Sequence, residues 1–177
     1  GAGLPAQGSL LFATNARGQR LFNIHLPWTD SGIYFDCGCD DSGAYDRLCQ
    51  AASPADYQGD WVHWAFTKDA SSGTMKIFKN GQPWAMASGM RRPLGVATSL
   101  VLGSGYQGAV FDLRILPVAQ SQNQIRASMV SPCPDVLLSN EYTTLILDPV
   151  TQARSVLMRR FMAGLEGGGI GLLPDKR

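Results

Sequence analysis

Charge is scarce in this sequence. Only 16% of its 177 residues are Asp, Glu, Lys or Arg, against about a quarter in an ordinary globular chain. Two residue types are nearly missing from that minority: four Lys stand beside eleven Arg, and two Glu, Glu141 and Glu166, beside twelve Asp. Lys and Glu are favoured in helices, so their scarcity excludes a helical bundle. The formal net charge of +1 excludes a strongly basic face that would grip nucleic acid through its phosphates. At 45% hydrophobic residues the chain also falls outside the disordered class, which combines low hydrophobicity with high net charge. Long apolar runs are missing as well. The longest uncharged stretch, residues 93–111, has about the length of a membrane span. It contains four Gly with Ser, Thr and Gln, and reads as two strands around a turn.

Metal and redox motifs are also missing. Cys37, Cys39, Cys49 and Cys133 match neither paired zinc spacing nor a CxxC redox motif, and His25 and His63 do not extend them. An even count suits two disulfides in a secreted or organelle-lumenal compartment. Of three connectivities we favour Cys39–Cys49, closing a short Asp-rich loop, and Cys37–Cys133, tying down the C-terminal segment. The alternative is four reduced thiols packed as small hydrophobes.

What the sequence does have is turns and short strands. Gly (20) and Pro (10) are plentiful. Asn80-Gly81 is the preferred pair for a two-residue type I′ hairpin, because both positions need positive φ. Pairing outward from it sets Lys79 against Gln82, Ile77 against Trp84 and Met75 against Met86, with Trp84 in an apolar, core-facing patch. Pro83 has no amide donor, which places this arm at a sheet edge. Further strands are expected at 20–26, 32–37, 61–67, 98–103 and 109–116. In the last, Ala109, Phe111, Leu113 and Ile115 alternate with Val110, Asp112 and Arg114, the period of a half-buried strand; Asp112 and Arg114 suit an ion pair. Six or more short strands with close turns indicate a sandwich or jelly roll.

These segments resemble a known family. Trp61, His63, Ala65, Phe66 and Thr67, then Gly73, Met75, Ile77, Asn80 and Gly81, then Leu102-Gly103, then Gly108, Asp112, Arg114 and Ile115 are similar in order to the laminin-G-like domains of the concanavalin A-like lectin/glucanase superfamily. The stretches 22–28 and 33–38 resemble one subgroup of it. The resemblance covers about Leu10 to Ala127 and implies an all-β fold, an antiparallel two-sheet jelly-roll sandwich. We expect that sandwich over 1–132, with the family's opening strand missing, and a C-terminal extension over 133–177. In the extension, residues 142–147 have strand composition, and a helix is expected over 150–165.

The glucanase branch of the family hydrolyses with a Glu-x-Asp-x-x-Glu strand, and glycoside hydrolysis needs two carboxylates flanking the bond. Here both Glu lie in the extension, outside every matched strand, so no enzyme is expected. Asp36, Asp40, Asp41 and Asp46 place four carboxylates within eleven residues. Such hard-oxygen clusters bind Ca²⁺, and some laminin-G-like domains bind it at a rim loop. The spacing is not that of an EF-hand, Arg47 stands alongside, and a solvated turn is the competing reading. Trp28, Tyr57 and Tyr106 sit in turns, as ligand-binding candidates that would stack on sugars or serve as protein hot spots. His25 and His63 read as structural. In the extension's helix Val150, Ala153, Leu157, Phe161 and Gly164 share one side, accompanied by Arg154, Arg159 and Arg160. A basic amphipathic helix of this kind suits a partner's groove or an anionic membrane surface, or docks on its own sandwich. The sequence therefore points to a non-catalytic binding module acting as a structural or accessory subunit in a larger assembly, docking through its extension. A carbohydrate-binding lectin, with or without Ca²⁺, is the alternative, and a glycoside hydrolase comes third.

Overall fold

In β3 (Gly32–Cys37) the side chains of Ile33, Phe35 and Cys37 are almost fully buried, and Tyr34 and Asp36 project to the other face, as the two-residue period of a strand requires. Apolar alternation of this kind builds the molecule. A computed structural model describes residues 3–130 and two further strands, β10 (Leu137–Leu138) and β11 (Thr143–Ile146). With β1 (Ser9–Thr14), β2 (Arg20–His25), β4 (Asp46–Ala51) and β8 (Ser99–Ser104), β3 and β11 form a six-stranded antiparallel sheet ordered β11-β8-β1-β2-β3-β4. A second sheet of β5 (Trp64–Asp69), β6 (Thr74–Lys79) and β7 (Gln82–Ala87) is ordered β5-β6-β7. The chain is thus an antiparallel two-sheet jelly-roll sandwich.

The core lies between the two sheets. Leu11, Ala13, Ile24, Ile33, Phe35, Leu48, Leu100 and Leu102 of the larger sheet meet Met75 and Ile77 of the smaller one. The Phe35 ring meets Phe66 edge-on at 5.4 Å between centroids. Met75, Ile77 and Ile33 are completely excluded from water. Burial of such a side chain contributes about 1.5–3 kcal/mol.

The β6–β7 hairpin turns at Asn80 and Gly81, with φ of 49° and 70°. Both are left-handed, as the type I′ turn demands, and β7 is a sheet edge. The register beyond the turn differs from the expected one. Lys79 pairs with Gln82 and Phe78 with Pro83, but Ile77 then pairs with Ala85 and Met75 with Ala87. Pro83 cannot donate to the ladder, and the strand accommodates it with a bulge in which Trp84 is the extra residue. Ala85 and Ala87 therefore face the core, and Met86 turns outward to 69% exposure. Trp84 still packs against the core margin, edge-on to Trp64 at 5.2 Å.

The strand expected over 109–116 is cut to β9 (Val110–Phe111). Asp112 has a φ of 55°, a turn conformation that breaks the two-residue alternation. Val110 and Leu113 reach the core, leaving Phe111 and Ile115 outside. Asp112 and Arg114 do form an ion pair, at 2.7 Å. The backbone of β10 pairs with β9, and that of β11 with β8, the latter within the segment of strand composition at 142–147. Two helices complete the described chain. α1 (Pro54–Tyr57) is a single turn in which the Asp56 carboxylate accepts from the Ser53 amide and hydroxyl. α2 (Gln122–Val130) buries only Ile125. A single anchor leaves no 3.6-residue period to read, which is why the sequence gives no sign of α2.

The helix expected over 150–165, with Arg154, Leu157, Arg159, Arg160 and Phe161, lies outside the described residues, as does Cys133. No helix among the described residues is long and apolar enough to cross a membrane.

Candidate functional site

The four loop carboxylates do not converge on a common point. Asp46 faces the core side of β4, where Lys68 of β5 reaches it from the opposite sheet and Arg92 donates to both its oxygens, from the backbone amide and Nη1, each at 2.8 Å. Lys68 Nζ also donates to the Cys37 carbonyl at 3.0 Å. Burial alone would raise the Asp46 carboxyl; the hydrogen bonds from Lys68 and Arg92 overcome it and hold the group below its ordinary value. Asp40 accepts from the Ser42 hydroxyl and amide, the Ala44 amide and Arg92. These bonds, that from Ser42 foremost, hold its carboxyl down at about 2. Asp36 projects from the outer face of the sheet. Asp41 is fully exposed, 4.0 Å from Arg17. Among the described residues no three His, Cys, Asp or Glu side chains come together as a metal-holding group. The loop is organised by cations, with Arg92 as a clamp. Gly38 admits this clamp: a Cβ there would lie 2.3 Å from the Arg92 carbonyl oxygen, and its φ is +86°.

The outer face of the larger sheet carries a second constellation. Asp36, wholly buried, accepts from Arg20 Nη1 at 2.6 Å and from Arg47 Nε and Nη2 at 2.6 and 2.9 Å. The Arg20 guanidinium lies between Phe12 (6.0 Å) and Tyr45 (5.0 Å), and that of Arg47 between Tyr45 (5.2 Å) and Tyr34 (5.1 Å). Rings and guanidiniums thus alternate across the strands as a ladder pinned by one carboxylate. Asp36 is the main reason that the Arg47 guanidinium is held still more firmly protonated than usual. Alternation in β3 shows from sequence that Tyr34 and Asp36 share a face; the Arg partners are set only by the register, which puts Asp36 opposite both Asn23 and Arg47. The ladder is for that reason not legible in the sequence alone.

The three aromatic candidates separate. Tyr57 is buried, its hydroxyl 3.2 Å from Ser31 Oγ, so it presents no face to a ligand; the expectation of an exposed ring fails because α1 folds it inward. Tyr106 is half-buried against the core, and burial pushes its phenol above the ordinary range. Trp28 is likewise half-buried, its ring 4.3 Å from that of His25. His63 is half-buried and its Nδ1 has no hydrogen-bond partner. Its main chain is secured, since its amide donates to Asn80 Oδ1 and its carbonyl accepts from the Asn80 amide.

The large exposed apolar side chains concentrate elsewhere. Around the turn at Asp112, Phe111 (47% exposed), Ile115 (52%), Leu116 (52%) and Val118 (64%) all face solvent. Trp61, 68% exposed, meets the Phe111 ring edge-on at 6.3 Å. The alternation read over 109–116 puts Phe111, Leu113 and Ile115 on one face, but the strand ends at Phe111, the turn at Asp112 breaks the period, and it is Val110 and Leu113 that reach the core.

The favoured Cys39–Cys49 disulfide is not formed: Cys37, Cys39 and Cys49 are free thiols. The register opposes Cys37 to Asp46, and Cys49 to Tyr34 three residues further along β4, about 10 Å away at strand spacing. Cys39 lies beyond the other end of β3, so its Cα is outside the roughly 7 Å limit for a bridge. Burial pushes the Cys37 thiol up to about 11. Because Cys37 is a free thiol, the expected Cys37–Cys133 bridge is not formed either; Cys133 itself lies outside the described residues.

A laminin G-type family model, described as Concanavalin A-like lectin/glucanases superfamily, matches residues 2–126. No curated protein matches the chain. A crystal structure of an S-layer domain-containing protein from Clostridium thermocellum is 17% identical, with a TM-score of 0.34; the match covers 70% of this chain and 64% of that one.

Proposed function

The chain belongs to the concanavalin A-like lectin/glucanase superfamily, and from that premise we propose that it is a non-catalytic binding module serving as a structural or accessory subunit of a larger protein assembly. The observation that carries this reading is the exposed group of Trp61, Phe111, Ile115, Leu116 and Val118. Large apolar side chains gathered on a surface mark interaction sites, and aromatic anchors, here Trp61 in ring contact with Phe111, supply most interface energy. The extension over 133–177, with its basic amphipathic segment at 150–165, is a second docking element in this proposal. The state of the acidic groups supports a non-catalytic role. Asp36, Asp46, Asp56 and Asp112 are each held by a Lys or Arg at 2.5–2.8 Å, whereas glycoside hydrolysis needs one carboxyl free to give up a proton and another free to attack or to activate water.

Native isolation of the tagged full chain, followed by mass spectrometry, tests the proposal. A stoichiometric partner is expected, lost in a Trp61→Ser, Phe111→Ser double variant with an unchanged circular dichroism spectrum. A monodisperse monomer that captures nothing would overturn it. The Trp28 ring, half-buried in the turn after β2, is the aromatic candidate for a second reading, a carbohydrate-binding domain. A glycan array probed with and without Ca²⁺ checks that reading, with Trp28→Ala expected to abolish any signal.

A further inference from the structure

We propose that His25 is a proton-operated switch on the outer face of the six-stranded sheet, in which protonation reverses the Asn23 carboxamide and is read out by the Trp28 ring tilted against it. The geometry begins with the tautomer. His25 Nδ1 lies 2.8 Å from the Gly8 carbonyl oxygen. A carbonyl only accepts, so Nδ1 carries the hydrogen, and Ser9 Oγ at 3.4 Å is a more distant neighbour of the same nitrogen. The neutral ring then presents a lone pair at Nε2, which accepts from Asn23 Nδ2 at 2.9 Å. This fixes the amide orientation, because an oxygen turned toward a lone pair would be repelled.

That orientation has a cost. Asn23 is 1% exposed, and its Oδ1 has no hydrogen-bond partner. Buried polar oxygens are rarely left in this state. If a proton from solvent binds Nε2, both ring nitrogens become donors. Nδ1 keeps the Gly8 carbonyl, and half a turn of the amide brings Oδ1 onto Nε2–H. A neutral N–H···N contact is replaced by a charge-assisted N–H···O one, which is the stronger type. The Trp28 ring, 4.3 Å away, then faces a cation.

The charged and titratable groups around the ring are Arg20 on β2, Tyr34 and Asp36 on β3, Arg47 on β4 and Asp30 in the β2–β3 turn. Two guanidiniums stand against two carboxylates, so the surrounding charge is balanced and burial decides. Burial is the main cause that brings His25 below the ordinary histidine range, opposed by the Gly8 carbonyl and Asp36. The switch therefore operates on the acid side of neutrality.

The test uses the full ¹⁵N-labelled chain. Two-bond ¹H–¹⁵N correlation spectra should show the Nδ1–H tautomer of His25 at pH 7.5. On acidification the imidazolium signals and the Asn23 side-chain amide should shift with one midpoint, below 6.5. Indole fluorescence should fall at that midpoint in wild type and not in Trp28→Phe. Asn23→Asp supplies an acceptor without reversal and should raise the midpoint by at least one pH unit. Asn23→Leu removes the acceptor and should lower it by a similar amount. If that variant does not fold, Asn23→Asp and the wild-type amide signal still decide. An Nε2–H tautomer at pH 7.5, an Asn23 amide unmoved through the titration, or an unshifted midpoint in Asn23→Asp would each overturn the proposal. Loss of the folded spectrum before His25 titrates would do the same.

Discussion

Truncating Asp46 to Ala tests how the two sheets are joined at the Asp-rich rim. The carboxylate is 4% exposed and its partner Lys68 8% exposed, so removing the first leaves an ammonium in a water-poor site between the sheets. Lys68 keeps the Cys37 carbonyl, a neutral acceptor that does not balance its charge. Breaking a buried pair from one side costs about 3–5 kcal/mol, a large share of the 5–15 kcal/mol typical of a domain. Arg92, 39% exposed at its side chain, can rehydrate and adds little to the loss. Urea denaturation should show Asp46→Ala losing about 3–5 kcal/mol, and Asp46→Leu with Lys68→Met recovering most of it. The pair should therefore be coupled by about 2 kcal/mol or more in a double-mutant cycle. The sign of the pH dependence follows from the carboxyl, which is lowered in the folded state from 3.8. Its contribution is present above that value and is lost as pH falls through the folded pKa. The gap between wild type and Asp46→Ala should close in acid. A loss under about 1 kcal/mol, or additive single variants, would refute a buried ion pair joining the sheets.

Maleimide labelling followed by peptide mapping should modify the exposed Cys49 rapidly and the buried Cys37 only after denaturation; equal rates would contradict the register of β3 and β4. Two isoleucines should behave oppositely in thermal unfolding. Ile77→Ala, in the core at 0% exposure, should cost about 2–5 kcal/mol, whereas Ile115→Ala at 52% exposure should stay within about 0.5 kcal/mol. Gly81→Ala should destabilise by about 1 kcal/mol or more, because Gly81 has a φ of +70° and the added Cβ would lie 2.8 Å from Arg126 Cγ and 3.0 Å from Met129 Sδ. A wild-type melting temperature for that variant would argue against the left-handed turn.

Much of the fold was legible because it rests on local chemistry. Asn80-Gly81 announces its turn through backbone sterics that need no tertiary context. The alternation of Ile33, Phe35 and Cys37 marks an inward face, and Pro83 marks an edge. The candidate site was much less legible. Asp36, Asp40, Asp41 and Asp46 are neighbours in sequence and resemble a metal loop, yet the structure sends Asp36 to one face of the sheet and Asp46 to the other. Tyr57 lies in a polar stretch and is nevertheless buried. In each case the deciding partner comes from a distant segment: Arg92 for Asp40 and Asp46, Lys68 for Asp46, Arg20 for Asp36 and Ser31 for Tyr57.

The dearth of Lys and Glu, together with short strands broken by Gly and Pro, settles the β class on its own, since backbone preference and two-residue periodicity are properties of the chain. Pairing is different. A bulge at Trp84 exchanges the faces of the side chains beyond it and turns Met86 outward, and a left-handed residue at Asp112 ends the alternation and leaves Ile115 exposed. One residue of register exchanges the two faces of a strand. Only the packed sandwich, by choosing that register, decides which apolar groups form the core and which remain as a surface for another molecule.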